Sequence, residues 1–359
     1  MAHHLFGNFF LIMISMALQI KMRLIYTIIL VFITSSCGGG GSSSENSSND
    51  TNTDDSSSQP CAPYQSSIGS GSTFTCLIEH DNIIRQFYIY QGSSYISNSP
   101  VLFSLHGYTS RGLWNMNYTG FQSIADQNGF LVIYPQGTLL PSTGQTHWNV
   151  GGWTTDSTTD DVGFINEVIE FLDDEYSIDK SRIYSTGMSN GGYMSFKLAC
   201  DLGSKIAAVV SVTGSMTPET LSGCSPAHPT SIAQIHGLQD SVVSYYGNLW
   251  SRPIEEVIDY WVGFNNCSEI PETLEISGAN GGGIHDIYSN CDNQISVELF
   301  LMTNMGHDWP NIADHDLQAS TTIWDFLSKY DIDGLIAVSY THLRAHETGR
   351  NLVCRLLLE

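Results

Sequence analysis

Basic residues are scarce in this 359-residue chain: 13 Lys and Arg stand against 36 Asp and Glu, a formal net charge of −23. Affinity for a phosphate backbone comes mainly from Lys and Arg, so nucleic acid is not expected as a partner. Long apolar runs are missing as well. The two near the N-terminus, Phe9–Ile20 and Leu24–Ile33, are separated by Lys21 and Arg23, and neither reaches the roughly 18 uncharged residues of a spanning helix. No CxxC pair occurs among the eight cysteines, which argues against a cysteine-bound metal. No Gly-rich turn carries the Lys of a phosphate-binding loop or the spacing of a dinucleotide fingerprint, and no internal repeat is evident. Neither a metal nor a cofactor is therefore expected. Against these absences, 42% of the residues are hydrophobic, enough for a large core.

Composition divides the chain into four parts. Residues 1–36 contain no Asp or Glu; Arg23, the apolar stretch Leu24–Thr34 and the small pair Ser35–Ser36 have the order of a signal peptide. Met22 stands just ahead of it, which leaves open a start at either Met1 or Met22. Cys37 follows directly and resembles the lipidated cysteine of a bacterial lipoprotein, although Thr34 stands where Leu is usual. A bacterial secreted or surface-anchored location is expected, with ordinary secretion as the alternative to a lipid anchor. Residues 37–60 are almost wholly Gly, Ser, Asn, Thr and Asp and form a flexible tether, because they have nothing apolar to bury. Residues 61–336 alternate apolar segments with turn residues and are expected to be one domain. Residues 337–359 carry three arginines, and Ser339–Thr348 resembles a translated sequencing adapter, so this tail is set aside as an artefact. Without the leader and the tail, residues 37–336 hold 8 Lys and Arg against 34 Asp and Glu, a net −26.

Six cysteines remain in the domain, an even number suited to an oxidising compartment. Six allow 15 pairings; proximity in sequence favours Cys61–Cys76, Cys200–Cys224 and Cys267–Cys291.

The domain's periodicity alternates between strand and helix. Gln86–Tyr90, Val101–Leu105, Leu131–Tyr134, Arg182–Thr186, Ala207–Val212, Ser231–Ile235 and Val297–Met302 have strand character. Phe121–Asn128, Gly163–Tyr176, Gly192–Asp201, Pro253–Phe264 and Ala319–Tyr330 have helical spacing. This alternation predicts an α/β fold, a mostly parallel central sheet with helices on both faces.

One segment carries the chemistry. Gly187-Met188-Ser189-Asn190-Gly191 fits G-x-S-x-G, preceded by a strand and followed by an amphipathic helix, the setting of a nucleophile elbow. So tight a turn needs glycine two residues either side of the serine, and it lifts the Ser189 hydroxyl to a helix N-terminus. A serine hydroxyl requires a base oriented by a third group. His307, in the loop past strand Val297–Met302, is the expected base; His228 in a proline-rich turn and His285 in a glycine-rich excursion read as surface residues. Asp240, at the carboxyl end of the strand opened by Ser231, is the expected acid, with His236 bracing the turn. The oxyanion needs two N–H donors. Asn190 supplies one, and the Leu105-His106-Gly107-Tyr108 turn the other, through Tyr108 or Gly107, with His106 structural. Asp160 and Asp161 read as capping and dipole partners of the following helix rather than metal ligands.

Together, Leu105–Tyr108, Tyr134–Gly137, Asp160–Phe164, Gly187–Gly192, His236–Asp240, Gly306–Pro310 and the closing Phe326–Gly334 resemble the secreted polyhydroxybutyrate depolymerase and feruloyl (acetylxylan) esterase family of α/β-hydrolases. The resemblance covers most of residues 64–336. It departs at Asn304-Met305, where a glycine-richer run is usual, and at Ser244, where proline is. It implies Ser189, Asp240 and His307 as a triad, agreeing with the residues themselves. Trp114, Trp148, Trp153 and Trp309 fall in loops; Trp309, Trp153 and Trp114 are the expected substrate contacts, against the alternative that such residues pin loops to the core. Trp261 and Trp324 lie on helical faces and are expected in the core. The expectation is a monomeric serine esterase acting on an ester-bearing polymer. A non-catalytic surface lipoprotein binding polysaccharide or polyester, and a serine peptidase on the same fold, remain alternatives.

Overall fold

The structure, a computed structural model, describes residues 60–337. The expected signal peptide, the lipidation cysteine Cys37 and nearly all of the tether and tail lie outside these residues.

The strands are β1 (Cys61–Tyr64), β2 (Ser72–His80), β3 (Ile83–Gln91), β4 (Val101–Leu105), β5 (Leu131–Pro135), β6 (Thr138–Leu139), β7 (Thr146–His147), β8 (Ile183–Met188), β9 (Ala208–Val212), β10 (Ser231–Gly237), β11 (Glu272–Ile276), β12 (Gly283–Tyr288) and β13 (Val297–Met302). Eleven of them form one sheet in the order β1-β2-β3-β5-β4-β8-β9-β10-β13-β12-β11. Its centre, from β5 to β13, is parallel, and both flanks are antiparallel. The helices are α1 (Gly112–Thr119), α2 (Phe121–Asn128), α3 (Asp161–Tyr176), α4 (Asn190–Asp201), α5 (Pro218–Gly223), α6 (Ile254–Phe264), α7 (Ile312–His315) and α8 (Ala319–Leu327).

Alternate residues of a strand face opposite sides, and both sides are covered here. Val101, Phe103 and Leu105 of β4 join a core with residues of α3, α4 and α6. Leu102, between them, joins a second core with α1, α2 and α8. Strands β4, β5, β9 and β10 are buried along their whole length, as a doubly covered parallel sheet requires. The molecule thus has the α/β-hydrolase architecture, a large mostly parallel sheet with helices on both faces.

Three disulfides, Cys61–Cys76, Cys200–Cys224 and Cys267–Cys291, join the cysteines nearest in sequence. The first ties the edge strand β1 to β2, and the second ties the end of α4 to that of α5.

Two readings need correction. The supposed glycine-rich excursion around His285 is the antiparallel pair β11–β12, so His285 is a strand residue, not a surface loop residue. It stacks on Phe300 and bonds Glu298 Oε2 at 2.7 Å. Asp160 does cap α3, accepting the Gly163 N–H at 2.8 Å. Asp161 stands in the first turn, where its charge suits the helix dipole, but it is not a cap. It is buried, pairs with Arg85 at 2.6 Å and accepts the Asn149 N–H at 2.7 Å. Arg85 in turn lies over the Phe164 ring, so a helix residue, a strand residue and a loop amide share one buried ion pair.

Candidate active site

Strand β8 ends at Met188 and helix α4 begins at Asn190, so Ser189 alone makes the turn, at φ 54° and ψ −122°. A non-glycine residue rarely holds a positive φ, and such strain concentrates at functional turns. The flanking glycines are sterically required. A Cβ on Gly187 would lie 2.5 Å from the Gly191 carbonyl carbon, and one on Gly191 would run into the Leu105 carbonyl. The Ser189 N–H is held by Val212 O at 2.8 Å, which fixes the turn to the end of β9. The Ser189 side chain is partly exposed at the helix N-terminus.

Beside this turn lies the loop after β4. A Cβ built on Gly107 would sit 3.4 Å from the Met188 carbonyl oxygen and 3.5 Å from Ser189 Cβ, so a side chain here would fill the space beside the serine. His106 is completely buried, and burial first, with the nearby His147, pulls its pKa down to about 4, against the pull of its bond to the Gly107 carbonyl. The ring is therefore neutral. Its Nδ1–H donates to the Gly107 carbonyl at 2.8 Å, and its Nε2 accepts the Gly137 N–H at 3.0 Å. In a trans peptide the C=O and N–H point opposite ways. With the Gly107 carbonyl drawn back to His106, the Tyr108 N–H points away from it. Neither the Tyr108 nor the Asn190 N–H has a protein acceptor among the described residues. The Asn190 side chain is clamped to one residue: Oδ1 accepts the Trp148 N–H at 2.7 Å and Nδ2 donates to the Trp148 carbonyl at 3.1 Å. Trp148 Nε1 donates to the His106 carbonyl at 2.9 Å.

On the other side, β10 and β13 run parallel to β8 and end in the loops that carry Asp240 and His307. The Asp240 carboxylate is buried. Oδ1 accepts the Val242 and Val243 N–H groups at 2.8 and 2.9 Å, and Oδ2 accepts His307 Nδ1–H at 2.8 Å. Burial alone would raise its pKa, but the His307 hydrogen bond and charge and the two amides outweigh burial and hold it below the usual value. His307 is partly open to solvent. A bond to Nδ1 leaves Nε2 as the free nitrogen. Among the described residues no hydrogen bond joins Ser189 Oγ to it, and catalytic hydrogen bonds are often long before substrate binds. His236, as expected, braces the turn. Burial lowers its pKa; its Nε2–H donates to Val243 O at 2.8 Å and its Nδ1 accepts from Gln234 at 2.9 Å.

The four tryptophans expected in loops differ among themselves, and two are not in loops: Trp114 lies within α1 and Trp153 in a single 3-10 turn, Gly152–Thr154. Trp309 is half-buried, donates to Ser320 Oγ at 3.2 Å and meets Tyr118 and Phe121 edge-on. Tyr118 reaches Met188, so the His307 loop connects through two aromatic rings to the residue before Ser189. Trp153 is half-buried edge-on against Tyr193. Trp114 is 55% exposed. Trp148 is not at the mouth at all but fully buried, as is Trp261, and Trp324 is close to it. Sequence patterns do not mark Asn190 as a side-chain clamp or Trp148 as its partner, because both bonds run through backbone groups 42 residues away. Among the described residues His80, Asp81 and Asp160 lie close enough to share a cation, but His80 already bonds Asp160 and Glu167.

Residues 96–253 match the Phospholipase/Carboxylesterase family. A bifunctional acetylxylan esterase/xylanase of Neocallimastix patriciarum is 27% identical over 71% of this chain and 35% of its own length. Feruloyl esterase B of Piromyces equi is 31% identical over 57% of this chain and 37% of its own length. The chain thus spans little more than a third of either relative. The solved acetyl xylan esterase from Aspergillus awamori superposes with a TM-score of 0.50 over 68% of this chain and 94% of that one, at 17% identity, a likeness of fold. The chain has the α/β-hydrolase fold and is similar to the feruloyl and acetylxylan esterases.

Proposed function

We propose that this chain is an extracellular serine esterase that cleaves esters carried on a polymer, with Ser189, His307 and Asp240 as its triad. The observation that carries this reading is the buried Asp240 carboxylate bonded to Nδ1 of a half-open His307, at strand ends beside a strained serine turn. Asp240 fixes the tautomer that leaves Nε2 free to accept a proton. In the proposed reaction Ser189 Oγ attacks the ester carbonyl as His307 Nε2 takes its proton. The tetrahedral oxyanion is held by the unused Tyr108 and Asn190 N–H groups, with Gly107 giving the close approach. The alcohol leaves with the proton from His307, water enters by the same base, and the acid is released. Relatives named for feruloyl and acetylxylan esters support a polysaccharide-bound ester as substrate. The three disulfides support an oxidising, extracellular site of action.

The test is Ser189→Ala, assayed on methyl ferulate, acetylated xylan and polyhydroxybutyrate film. Turnover of the preferred ester should fall by at least about 10⁴-fold, with the thermal transition nearly unchanged. Activity retained at the wild-type level would remove Ser189 from the chemistry.

A further inference from the structure

Cations are few in this molecule and nearly all are neutralised internally. Of the eight Lys and Arg among residues 60–337, Arg85, Lys180, Arg182, Lys197, Lys205 and Arg252 each pair with a carboxylate. Lys329 lies over the Phe326 ring. Arg111 has no carboxylate partner among the described residues, although acidic residues outnumber basic ones more than four to one in residues 37–336. It stands at the N-cap of α1 in an extended conformation, with its guanidinium 5.3 Å from the exposed indole of Trp114.

Both side chains line a groove of about 420 Å³. Gln86 and Tyr88 of β3 form another part of its wall, and Gln136, just after β5, and Leu139 of β6 add to it. The groove is built rather than incidental. Gln136 Oε1 holds the Gly112 N–H at 3.1 Å, its Nε2 holds the Gly137 carbonyl at 3.0 Å, and the Gly137 N–H is bonded to His106. The wall and the Gly107–Tyr108 loop therefore share one hydrogen-bonded frame.

We propose that this groove is a subsite for a hexuronate unit of a polysaccharide. The planar guanidinium fork matches a carboxylate in two parallel hydrogen bonds. The indole face beside it offers an apolar platform for the C–H face of a pyranose, and the amide and hydroxyl groups of Gln86 and Tyr88 suit ring hydroxyls. In so acidic a molecule a guanidinium without a carboxylate partner gives an anionic sugar a place to dock, while the surrounding carboxylates repel it elsewhere.

The subsite goes beyond the esterase reading and can be tested without turnover, using ligands that contain no ester. Calorimetric titration would compare a glucuronate-bearing xylo-oligosaccharide with the same oligosaccharide after reduction of its carboxyl. The acid should bind roughly tenfold or more tightly at low salt, and the gap should shrink as ionic strength rises. Arg111→Met should abolish the gap, Arg111→Lys should keep part of it, and Trp114→Ala should weaken both ligands. Unchanged thermal transitions in these variants would show that the fold is intact. Equal affinity for the two ligands would overturn the proposal, as would a gap that survives Arg111→Met. Free ferulate displacing the acidic oligosaccharide at lower concentration would overturn it too, in favour of an aromatic-acid site.

Discussion

The same dipeptide closes two strands on either side of the Ser189 turn. His106-Gly107 follows β4 and His236-Gly237 ends β10, with β8 and β9 between them in the sheet. Both histidines are fully buried, both have their pKa lowered chiefly by burial, and both use both ring nitrogens. Their tautomers are opposite. His106 donates from Nδ1 to the next residue's carbonyl and accepts at Nε2, whereas His236 donates from Nε2 to Val243 and accepts at Nδ1. The first arrangement turns a backbone N–H outward; the second folds residues 238–243 back so that two amides grip the Asp240 carboxylate. In the proposed reaction one end offers donors for a developing negative charge, and the other holds the negative charge that steadies the base. Local sequence is the same in both places, and the acceptors supplied by the rest of the fold decide the outcome.

Three changes would break or sharpen this contrast. The largest effect is expected from Asp240→Asn, which keeps the shape but reverses the donor pattern toward His307 Nδ1. Ester turnover should fall about 10⁴-fold, or about 5.5 kcal/mol of barrier; a loss under tenfold, measured as kcat/KM, would mean that His307 is oriented by something else. Next, His106→Leu would strand the buried Gly137 N–H and free the Gly107 carbonyl. Chemical denaturation should show a loss of about 3 kcal/mol, with kcat down about tenfold. His236→Leu should lose similar stability, through Gln234 and Val243, but less activity. A larger kcat loss in His236→Leu than in His106→Leu would invert the roles assigned here. The smallest effect concerns pH. Both histidines are harder to protonate in the folded state than in the unfolded one, so the unfolded chain takes up more protons as pH falls. Stability should decline as pH drops from about 6.5 toward 4. Asp240, ionised below its usual range, contributes stability at all higher pH and loses it only in stronger acid. Thermal melts of wild type and both leucine variants should show the shallower acid decline in the variants; parallel curves would show that neither ring is the proton-linked group.

Much of this site is legible in the sequence because it sits where strand signals stop. Gly187–Gly191 ends a β-type run, and Asp240 and His307 follow two others, so position relative to a strand end is informative without any knowledge of neighbours. What escaped depends on contacts distant along the chain. The partner of Asp161 lies 76 residues upstream, and capping rules see only its helix. Strand β11 has four exposed residues of five and β12 has none buried, so neither has an apolar face to reveal it; β12 joins the sheet by pairing with β13, and β11 by pairing with β12. Trp148 sits in a polar loop and yet is buried, because its backbone and indole N–H satisfy Asn190 and His106.

The clamp between Asn190 and Trp148 bears on how such a molecule can diversify. It fastens the turn that presents the hydroxyl to the segment behind the donor loop, so these parts shift together or not at all. The loop after Asp240 has no such tie to the turn among the described hydrogen bonds, and it exposes Val242, Tyr246, Leu249 and Trp250. Substitutions along that rim can therefore change the surface it presents residue by residue while leaving the Ser189 turn and its clamp where they are.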